Sequence, residues 1–191
     1  MILKIVAYGH KSLRAETHKI EKDHPQLQEL IDNMYETMYN AHGVGLAGPQ
    51  VSLPLRIFIV DGSPMEEAAD DEAELLASFK QVFINPQKIE ETGKQWAFEE
   101  GCLSIPDLRE EVYRPRNIRL RYFDEHFQEK TETFSGMRAR IVQHEYDHLE
   151  GKLFTDYLSP LRKRVTRSRL SKISKGEIDV TYPMKFPHKK R

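Results

Sequence analysis

One stretch near the C-terminal end, residues 143–151 with the sequence QHEYDHLEG, constrains this chain more than any other. If it is helical, His144 and His148 lie one turn apart, about 40° round the axis and about 6 Å along it, so both imidazoles can reach one metal ion. Glu145 then lies beside the two rings, where a carboxylate can act as a base. The pattern predicts a metal-binding helix. The alternative is a buried helix whose two histidines make ordinary hydrogen bonds.

The residues around the histidines support the helix. Met137 and Ile141 precede His144 by seven and three residues, so they share its face. A second apolar stripe can pack against a core: Val142, Tyr146 and Leu149. Gly151 is typical of the position just after a helix. We therefore expect a helix that begins near Gly136.

A hydrolytic metal site needs a third protein ligand and an open position for water. In metalloproteases of the zincin type that ligand lies downstream, where this chain offers Asp156 or Glu177. Cys102 is the better candidate, because its thiolate binds divalent metals readily. As the sole cysteine it forms no internal disulfide, so it is a core thiol, a ligand or a nucleophile.

Length and composition indicate one globular domain. The chain has 191 residues, of which 39% are hydrophobic and 31% charged. No apolar run approaches the length of a membrane span, and the apolar start at residues 1–6 is too short for a signal peptide. We therefore expect a cytoplasmic protein with no membrane partner.

Hydrophobic periodicity predicts an α+β domain with largely antiparallel sheets around the metal helix, followed by a C-terminal helix and tail. Residues 43–51 are rich in glycine, which predicts a turn that approaches other backbone closely. The acidic residues 66–74 predict a solvated, mobile insertion between strands. The other expected elements are a helix over 25–41, a strand over 56–60, a strand over 81–84 broken at Asn85-Pro86, a hairpin of 117–122 with 128–134, and a last helix from Pro160 to about Ser174.

Three segments together resemble the signature motifs of the bacterial peptide deformylase family: residues 43–50 (GVGLAGPQ), 100–104 (EGCLS) and 143–148 (QHEYDH). They occur in the family's order. The resemblance covers most of the chain and implies a catalytic domain over 1–174, basic helix included, with a polar basic tail over 175–191. Two features depart from the family pattern. Gly48-Pro49 replaces an alanine and a small polar residue, and the acidic segment is longer than in many relatives.

The resemblance implies a hydrolase that removes the formyl group from N-terminal formylmethionine of newly synthesised polypeptides and releases formate. It implies a metal with water in its fourth position and three protein ligands: Cys102, His144 and His148. The implied metal is ferrous iron (Fe2+), which zinc, nickel or cobalt can replace. Glu145 corresponds to the general acid and base. Gln50 and the Leu103 amide correspond to donors that stabilise charge developing on the formyl oxygen.

Five further positions are expected to contact substrate. Val44, Met137 and Ile141 lie beside the ligands and are expected to line an apolar pocket for methionine, with ordinary core packing as the alternative. Gly45 belongs to the first motif. Arg109 matches a family position near the substrate path, although a surface salt bridge explains it equally well.

Charge is unevenly distributed along the chain. Residues 160–191 contain 11 Lys+Arg and 2 Asp+Glu, whereas the remainder contains 18 basic and 28 acidic residues. This asymmetry predicts a polyanionic partner, and a solvated helix face is the alternative. Because deformylases act on chains emerging from the ribosome, the resemblance implies that the basic helix docks on the ribosome beside the exit.

Two other function classes remain open at this point. An endopeptidase would take its third ligand from downstream and would be indifferent to loss of Cys102. A nucleic-acid-binding protein with a structural zinc would need a fourth protein ligand, and the sequence offers no further cysteine for it. The endopeptidase thus differs from the deformylase in its independence of Cys102, and the zinc-binding structural protein differs in its number of protein ligands.

Overall fold

The computed structural model describes residues 1–65 and 70–187. Within these two ranges seven strands run in chain order: β1 (Ile5–Val6), β2 (Gly45–Ala47), β3 (Ile57–Asp61), β4 (Lys80–Cys102), β5 (Ile105–Phe123), β6 (Glu129–Ser135) and β7 (Met184–Lys185). Four α-helices accompany them: α1 (Leu27–Asn40), α2 (Asp70–Ala77), α3 (Gly136–Leu149) and α4 (Pro160–Lys175). β2 to β6 form one antiparallel sheet in that order, and β1 pairs with β7 in parallel. The predicted α+β class is confirmed.

β3 is buried on both faces and separates two parts of the core. Phe58 and Val60 pack with α3, which we call the α3-side core, while Ile57 and Ile59 pack with α1, the α1-side core. This alternation follows from the period of two along a strand. The predicted second stripe of the metal helix lies in the α3-side core: Val142, Tyr146 and Leu149. The helix predicted over 25–41 is confirmed with shorter bounds.

The expected break at Asn85-Pro86 is wrong, because β4 continues through it to Cys102. Asn85 has a positive φ of 50° and lies where the register between β4 and β5 shifts. Its side-chain amide accepts from the Ile20 N–H and donates to the Ile20 carbonyl, both at 2.8 Å. The pair therefore makes a bulge within the strand, where a proline is tolerated.

The end of the acidic segment is helical, which its composition does not predict. Residues 66–69 lie outside the described residues, but Asp70–Ala77 forms α2. Leu76 is buried in the α3-side core and anchors this helix. Ala73 and Glu74 are exposed, so the expected solvation is confirmed for the part that the structure describes, although the helix was not expected. Mobility of the segment stays a prediction.

The glycine-rich segment forms short regular elements and not only a turn. Its centre is strand β2, and Gly48–Val51 forms a 3-10 helix with Pro49 in its first turn. A Cβ on Gly48 would lie 2.8 Å from the Leu55 carbonyl oxygen, so the close backbone approach that the glycines predicted is present here.

The chain ends by returning to its beginning. Ser159 caps α4 by accepting from the Arg162 N–H at 3.3 Å, as the Ser-Pro pair predicts. After Gly176 the chain folds back to β7, which lies beside β1. The domain boundary near residue 174 stays a prediction. In residues 1–65 and 70–187, no helix combines the length and the apolar character that a membrane span requires.

Candidate metal centre

Helix α3 presents the two histidines and the glutamate as the spacing predicts. It begins at Gly136, ends at Leu149 and is buried along most of its length. The His144 and His148 rings lie with their centroids 5.1 Å apart, so both face the same region. The helix alone therefore supplies two adjacent imidazole donors.

Cys102 completes the group from the end of β4. Its Sγ lies 3.4 Å from His148 Nε2, and one donor atom from each of Cys102, His144 and His148 lies within 4.8 Å of the others. In the described part of the chain this is the one group of three or more such side chains. A thiolate and two imidazoles suit zinc, iron, nickel or cobalt and leave one position open. The donor set therefore fits a catalytic metal.

The downstream residues considered as a third ligand lie elsewhere. Asp156 Oδ1 accepts from Arg14 Nη2 at 2.9 Å, and its other oxygen accepts from the Leu153 N–H. Glu177 is not part of the group either. The geometry thus favours Cys102 over a zincin arrangement, and the group of three lacks the fourth protein ligand of a closed structural site.

Glu100 orients the His144 ring through a hydrogen bond to its Nδ1. Its Oε2 lies 2.9 Å from His144 Nδ1, which keeps a proton on Nδ1 and leaves Nε2 as the nitrogen that can bind a metal, with displacement of any proton there. The same carboxylate accepts from Arg114 Nε at 2.6 Å and from Arg140 Nη1 at 2.8 Å. A buried anion flanked by two guanidinium groups therefore fixes the orientation of one ring.

The network continues along α3. Arg114 Nη1 donates to Asp147 Oδ2 at 2.7 Å, and the Tyr157 hydroxyl donates to the same oxygen at 2.8 Å. Glu100, Arg114 and Asp147 are all less than a tenth exposed. Every charge in this row has an opposite charge beside it, which is what burial of ionic groups requires.

These contacts set the protonation of the site. Burial opposes the charged form of His144, but its hydrogen bonds to Cys102 and Glu100 prevail and raise its pKa well above the usual value. For His148, burial and the charges of His144 and Arg114 lower the pKa well below the usual value. Burial would raise the pKa of Glu100, yet His144 and Arg114 hold it below its ordinary range.

Glu145 occupies a confined space next to Gly45. A Cβ on Gly45 would lie 2.7 Å from both Cγ and Cδ of Glu145, so only glycine leaves room for this carboxylate. Glu145 Oε2 is buried and makes no hydrogen bond with the described residues. Burial raises the pKa of Glu145 to about 7. An unpartnered carboxyl group of this kind is suited to exchange protons near neutral pH.

The Gln50 side chain is held so that its donor group points at the site. Its Oε1 accepts from the Ala47 N–H at 2.8 Å, which turns Nε2 towards Cys102 Sγ and Ser104 Oγ, each 3.4 Å away. Leu103 lies between Cys102 and Ser104, in the turn that joins β4 to β5. Gly48-Pro49 thus leaves Gln50 in place despite its departure from the family pattern.

The expected substrate residues divide into two groups. Met137 and Ile141 are buried in the α3-side core, and Val44 packs against the same core while partly exposed. Arg109 is exposed on β5, across from Gly101, where an added Cβ would lie 3.3 Å from Arg109 Cγ. The structure brings the first three together and leaves Arg109 at the surface.

Sequence reasoning assigned no role to Glu100, Arg114 or Asp147. A signal for Arg114 exists in the strand pattern, because Val112 and Arg114 both occupy inward-facing positions of β5. A charged residue at an inward position requires a buried partner. Asp147 carries no such signal, since its partner lies 33 residues away.

Comparisons with known proteins agree with this geometry. The family model described as polypeptide deformylase matches residues 2–164. The chain is 55% identical over 194 residues to a peptide deformylase of Christiangramia forsetii, covering 100% of this chain and 99% of that protein. It is 52% identical to one of Flavobacterium psychrophilum, covering 100% of both.

Solved structures give the same result. The crystal structure of a peptide deformylase from Legionella pneumophila has a TM-score of 0.79 at 34% identity and covers 93% of this chain and 98% of that chain. The one from Ehrlichia chaffeensis has a TM-score of 0.81 at 30% identity and covers 93% and 99%. The family match over residues 2–164 includes the β4–β5 turn and α3.

Proposed function

The chain belongs to the polypeptide deformylase family, and from that premise we propose which of its residues carry out the reaction. Its activity is the hydrolytic removal of the N-terminal formyl group from nascent polypeptides, which releases formate. The convergence of Cys102, His144 and His148 beside a buried Glu145 is the observation that carries the proposal.

Cys102, His144 and His148 hold the metal on which the family depends. When bound there, a divalent cation supplies Lewis acidity, which makes water a nucleophile at neutral pH and polarises the formyl oxygen. Ferrous iron is the proposed physiological ion, with zinc, nickel or cobalt as replacements. Glu100 supports this role because it fixes the proton of His144 on Nδ1.

Glu145 acts as the general base and then the general acid. Its carboxylate takes a proton from the attacking water, whose oxygen becomes part of formate. As the bond between the formyl carbon and the methionine nitrogen breaks, Glu145 returns a proton to the departing amine. Its unpartnered Oε2 and its pKa of about 7 support both steps.

Gln50 Nε2 and the Leu103 N–H stabilise the negative charge that develops on the formyl oxygen. Gln50 is suited to this because its Oε1 is already engaged by the Ala47 N–H, so its amide cannot turn away. The two donors come from different elements, one from the segment after β2 and one from the β4–β5 turn.

The methionine side chain of the substrate enters between β2 and α3. Val44, Met137 and Ile141 supply the apolar surface, and Gly45 leaves room for the Glu145 carboxylate beside the substrate backbone. Arg109 lies at the exposed edge, where it can contact later residues of the peptide.

The test is formate release from a formyl-Met-Ala-Ser peptide by protein prepared with iron under exclusion of oxygen. An acetyl-Met-Ala-Ser peptide tests whether the formyl group is required. A peptide without a formyl group tests whether internal peptide bonds are cleaved. We expect formate from the first and no cleavage of the others. Cleavage inside the chain without formate release would contradict the proposal and favour an endopeptidase.

The identity of the metal has its own test. A site with iron and a thiolate ligand loses activity in air, because the thiolate and the metal are both open to oxidation. We expect rapid inactivation of the iron form and persistence of the nickel form. Activity that is stable in air and highest with zinc would count against iron.

Helix α4 is the proposed ribosome contact, and the cytoplasm is the proposed location of the enzyme. Arg162 pairs with Glu110 at 2.6 Å and Arg169 with Asp107 at 3.0 Å, so part of its charge is neutralised within the molecule. The outward face adds apolar groups to the cations, since Leu161 is 70% and Val165 58% exposed. This combination supports docking on ribosomal RNA and protein together.

Charge reversal at three exposed positions of α4 tests the docking: Arg164→Glu, Arg167→Glu and Lys172→Glu. The control reverses three exposed charges on the sheet: Lys94→Glu, Arg119→Glu and Arg121→Glu. We expect the α4 variant to lose salt-sensitive co-sedimentation with ribosomes while it still hydrolyses short formyl peptides. Equal ribosome binding by both variants would eliminate this role.

A further inference from the structure

The two ends of the chain meet beside the catalytic turn. β1 and β7 pair in parallel, with the Ile5 N–H donating to the Pro183 carbonyl at 3.0 Å and the Ala7 N–H to the Lys185 carbonyl at 2.9 Å. Met184 packs into the α1-side core from this strand. The described part of the tail is therefore a built element of the domain.

Both carbonyls of the β4–β5 turn are bonded to this terminal pair. The Tyr182 hydroxyl donates to the Leu103 carbonyl at 2.8 Å, and the Tyr8 N–H donates to the Ser104 carbonyl at 2.8 Å. One bond comes from just before β7 and the other from just after β1. Tyr182 and Leu103 also pack together against the α1-side core.

The position of the β4–β5 turn determines where two groups of the proposed site lie. It consists of two residues that directly follow the ligand Cys102, and it contributes the proposed Leu103 N–H donor. Leu103 also abuts Gly43, where an added Cβ would lie 2.7 Å from its Cδ1. A rotation of the turn would therefore displace a metal ligand and a charge-stabilising donor together.

We propose that Tyr182 is a positioning residue for deformylation. Its hydroxyl fixes the Leu103 carbonyl and thereby keeps Cys102 Sγ and the Leu103 N–H oriented towards the metal site. The proposal rests on the function proposed above. A hydrogen bond is directional, whereas packing of the ring alone permits rotation of the peptide units. The described part of the tail, residues 175–187, thus supports catalysis through the β4–β5 turn without supplying a reacting group.

Tyr182→Phe in the full-length, iron-loaded protein removes the hydroxyl and keeps the ring. We expect kcat to fall on the order of tenfold while KM stays within about twofold, because small misplacements of catalytic groups reduce the rate more than binding. Amide hydrogen exchange of a peptide spanning residues 101–106 should accelerate, with or without metal. Tyr122→Phe is the matched control, since Tyr122 is a buried tyrosine whose hydroxyl donates to Glu132 at 2.9 Å, away from the turn.

The Met184→Ala variant distinguishes a positioning role of Tyr182 from a contribution of the tail to protein stability. It weakens the packing of the tail but leaves the Tyr182 hydroxyl in place. Positioning predicts that Met184→Ala lowers the melting temperature at least as much as Tyr182→Phe and lowers kcat less. If kcat falls in proportion to the melting temperature in both variants, or if Tyr182→Phe leaves kcat and exchange of the turn unchanged, the proposal is overturned.

Failure of the proposed function gives a different result. Unaltered protein that releases no formate from formyl-Met-Ala-Ser contradicts the function itself, whatever Tyr182 does. Unaltered protein that deformylates, combined with an unaffected Tyr182→Phe variant, contradicts only the positioning role.

Discussion

Helices α3 and α4 are of similar length and are both rich in charged residues, yet they lie in opposite environments. Of the 14 residues of α3, 12 are buried. Of the 16 residues of α4, only 3 are buried: Thr166, Leu170 and Ile173. The first helix carries the proposed chemistry, and the second meets the body of the domain along a single line.

The difference lies in the partners of the polar groups. Along α3, Arg140 donates to Glu100 and to the carbonyls of Val112 and Trp96, and Gln143 donates to the Pro115 carbonyl at 3.0 Å. Along α4, most charged side chains face outwards. Polar residues are therefore buried where the sheet offers fixed partners, and such residues are costly to alter.

The largest effect is expected at the ligands themselves. Cys102→Ala, His144→Ala and His148→Ala should each weaken metal binding more than about a hundredfold, beyond the tenfold to hundredfold typical of residues behind the ligands. Metal content after gel filtration measures this, and His126→Ala, at an exposed histidine, serves as the control. Full occupancy after Cys102→Ala would contradict the ligand assignment and revive the endopeptidase.

Glu145→Gln should keep the metal and lose turnover. The amide cannot cycle a proton, so kcat should fall roughly a hundredfold to ten-thousandfold. Glu150→Gln is the matched control, because Glu150 is exposed just beyond the end of α3 and pairs with Arg56. If the Glu145 variant retains a near-normal rate with full metal content, another group is the base.

Arg114→Met tests the buried network against the surface. It removes the guanidinium that pairs with the buried Asp147 and leaves Arg140 as the one guanidinium beside Glu100, which should cost about 3 to 5 kcal/mol in the free energy of unfolding. Arg169→Met removes the exposed pair of α4 with Asp107 and should cost less than about 1 kcal/mol. Urea titration of both variants measures the difference. Equal losses of unfolding free energy in the two variants would mean that the buried network of α3 stabilises the protein no more than the exposed ion pair of α4.

The smallest effect is expected at the start of α3. Ser135 makes no capping side-chain bond there, and Glu72 from α2 accepts from the Met137 N–H at 3.1 Å instead. Glu72→Ala should therefore cost about 1 kcal/mol, as loss of a cap and of an anion at a helix start does. Glu74→Ala, on the same short helix, should cost nothing measurable in thermal unfolding. Identical melting temperatures for the two variants would rule out the cap.

Sequence patterns predicted the helices and strands that have a clear hydrophobic repeat. α3 followed from the spacing of its histidines and apolar stripes, and the β5–β6 hairpin from alternation around residues 124–128. That the three distant motifs meet at one site was inferred from the family resemblance. Local sequence patterns do not predict a contact between Cys102 and His148, which lies 46 residues away.

Other features depend on tertiary contacts. The return of the tail to β1 rests on a strand of two residues, too short to show a period. Composition suggested solvation for the acidic segment, but Leu76 and Glu72 attach α2 to the body. A proline after an asparagine usually ends a strand, and here Asn85 bonds Ile20 across the molecule and turns the break into a bulge.

The most direct test of the account is X-ray absorption at the metal edge, recorded on the protein loaded with iron under exclusion of oxygen. We expect one sulfur and two imidazole ligands, with the sulfur contribution lost in Cys102→Ser. A first coordination shell of nitrogen and oxygen alone in the unaltered protein would contradict it.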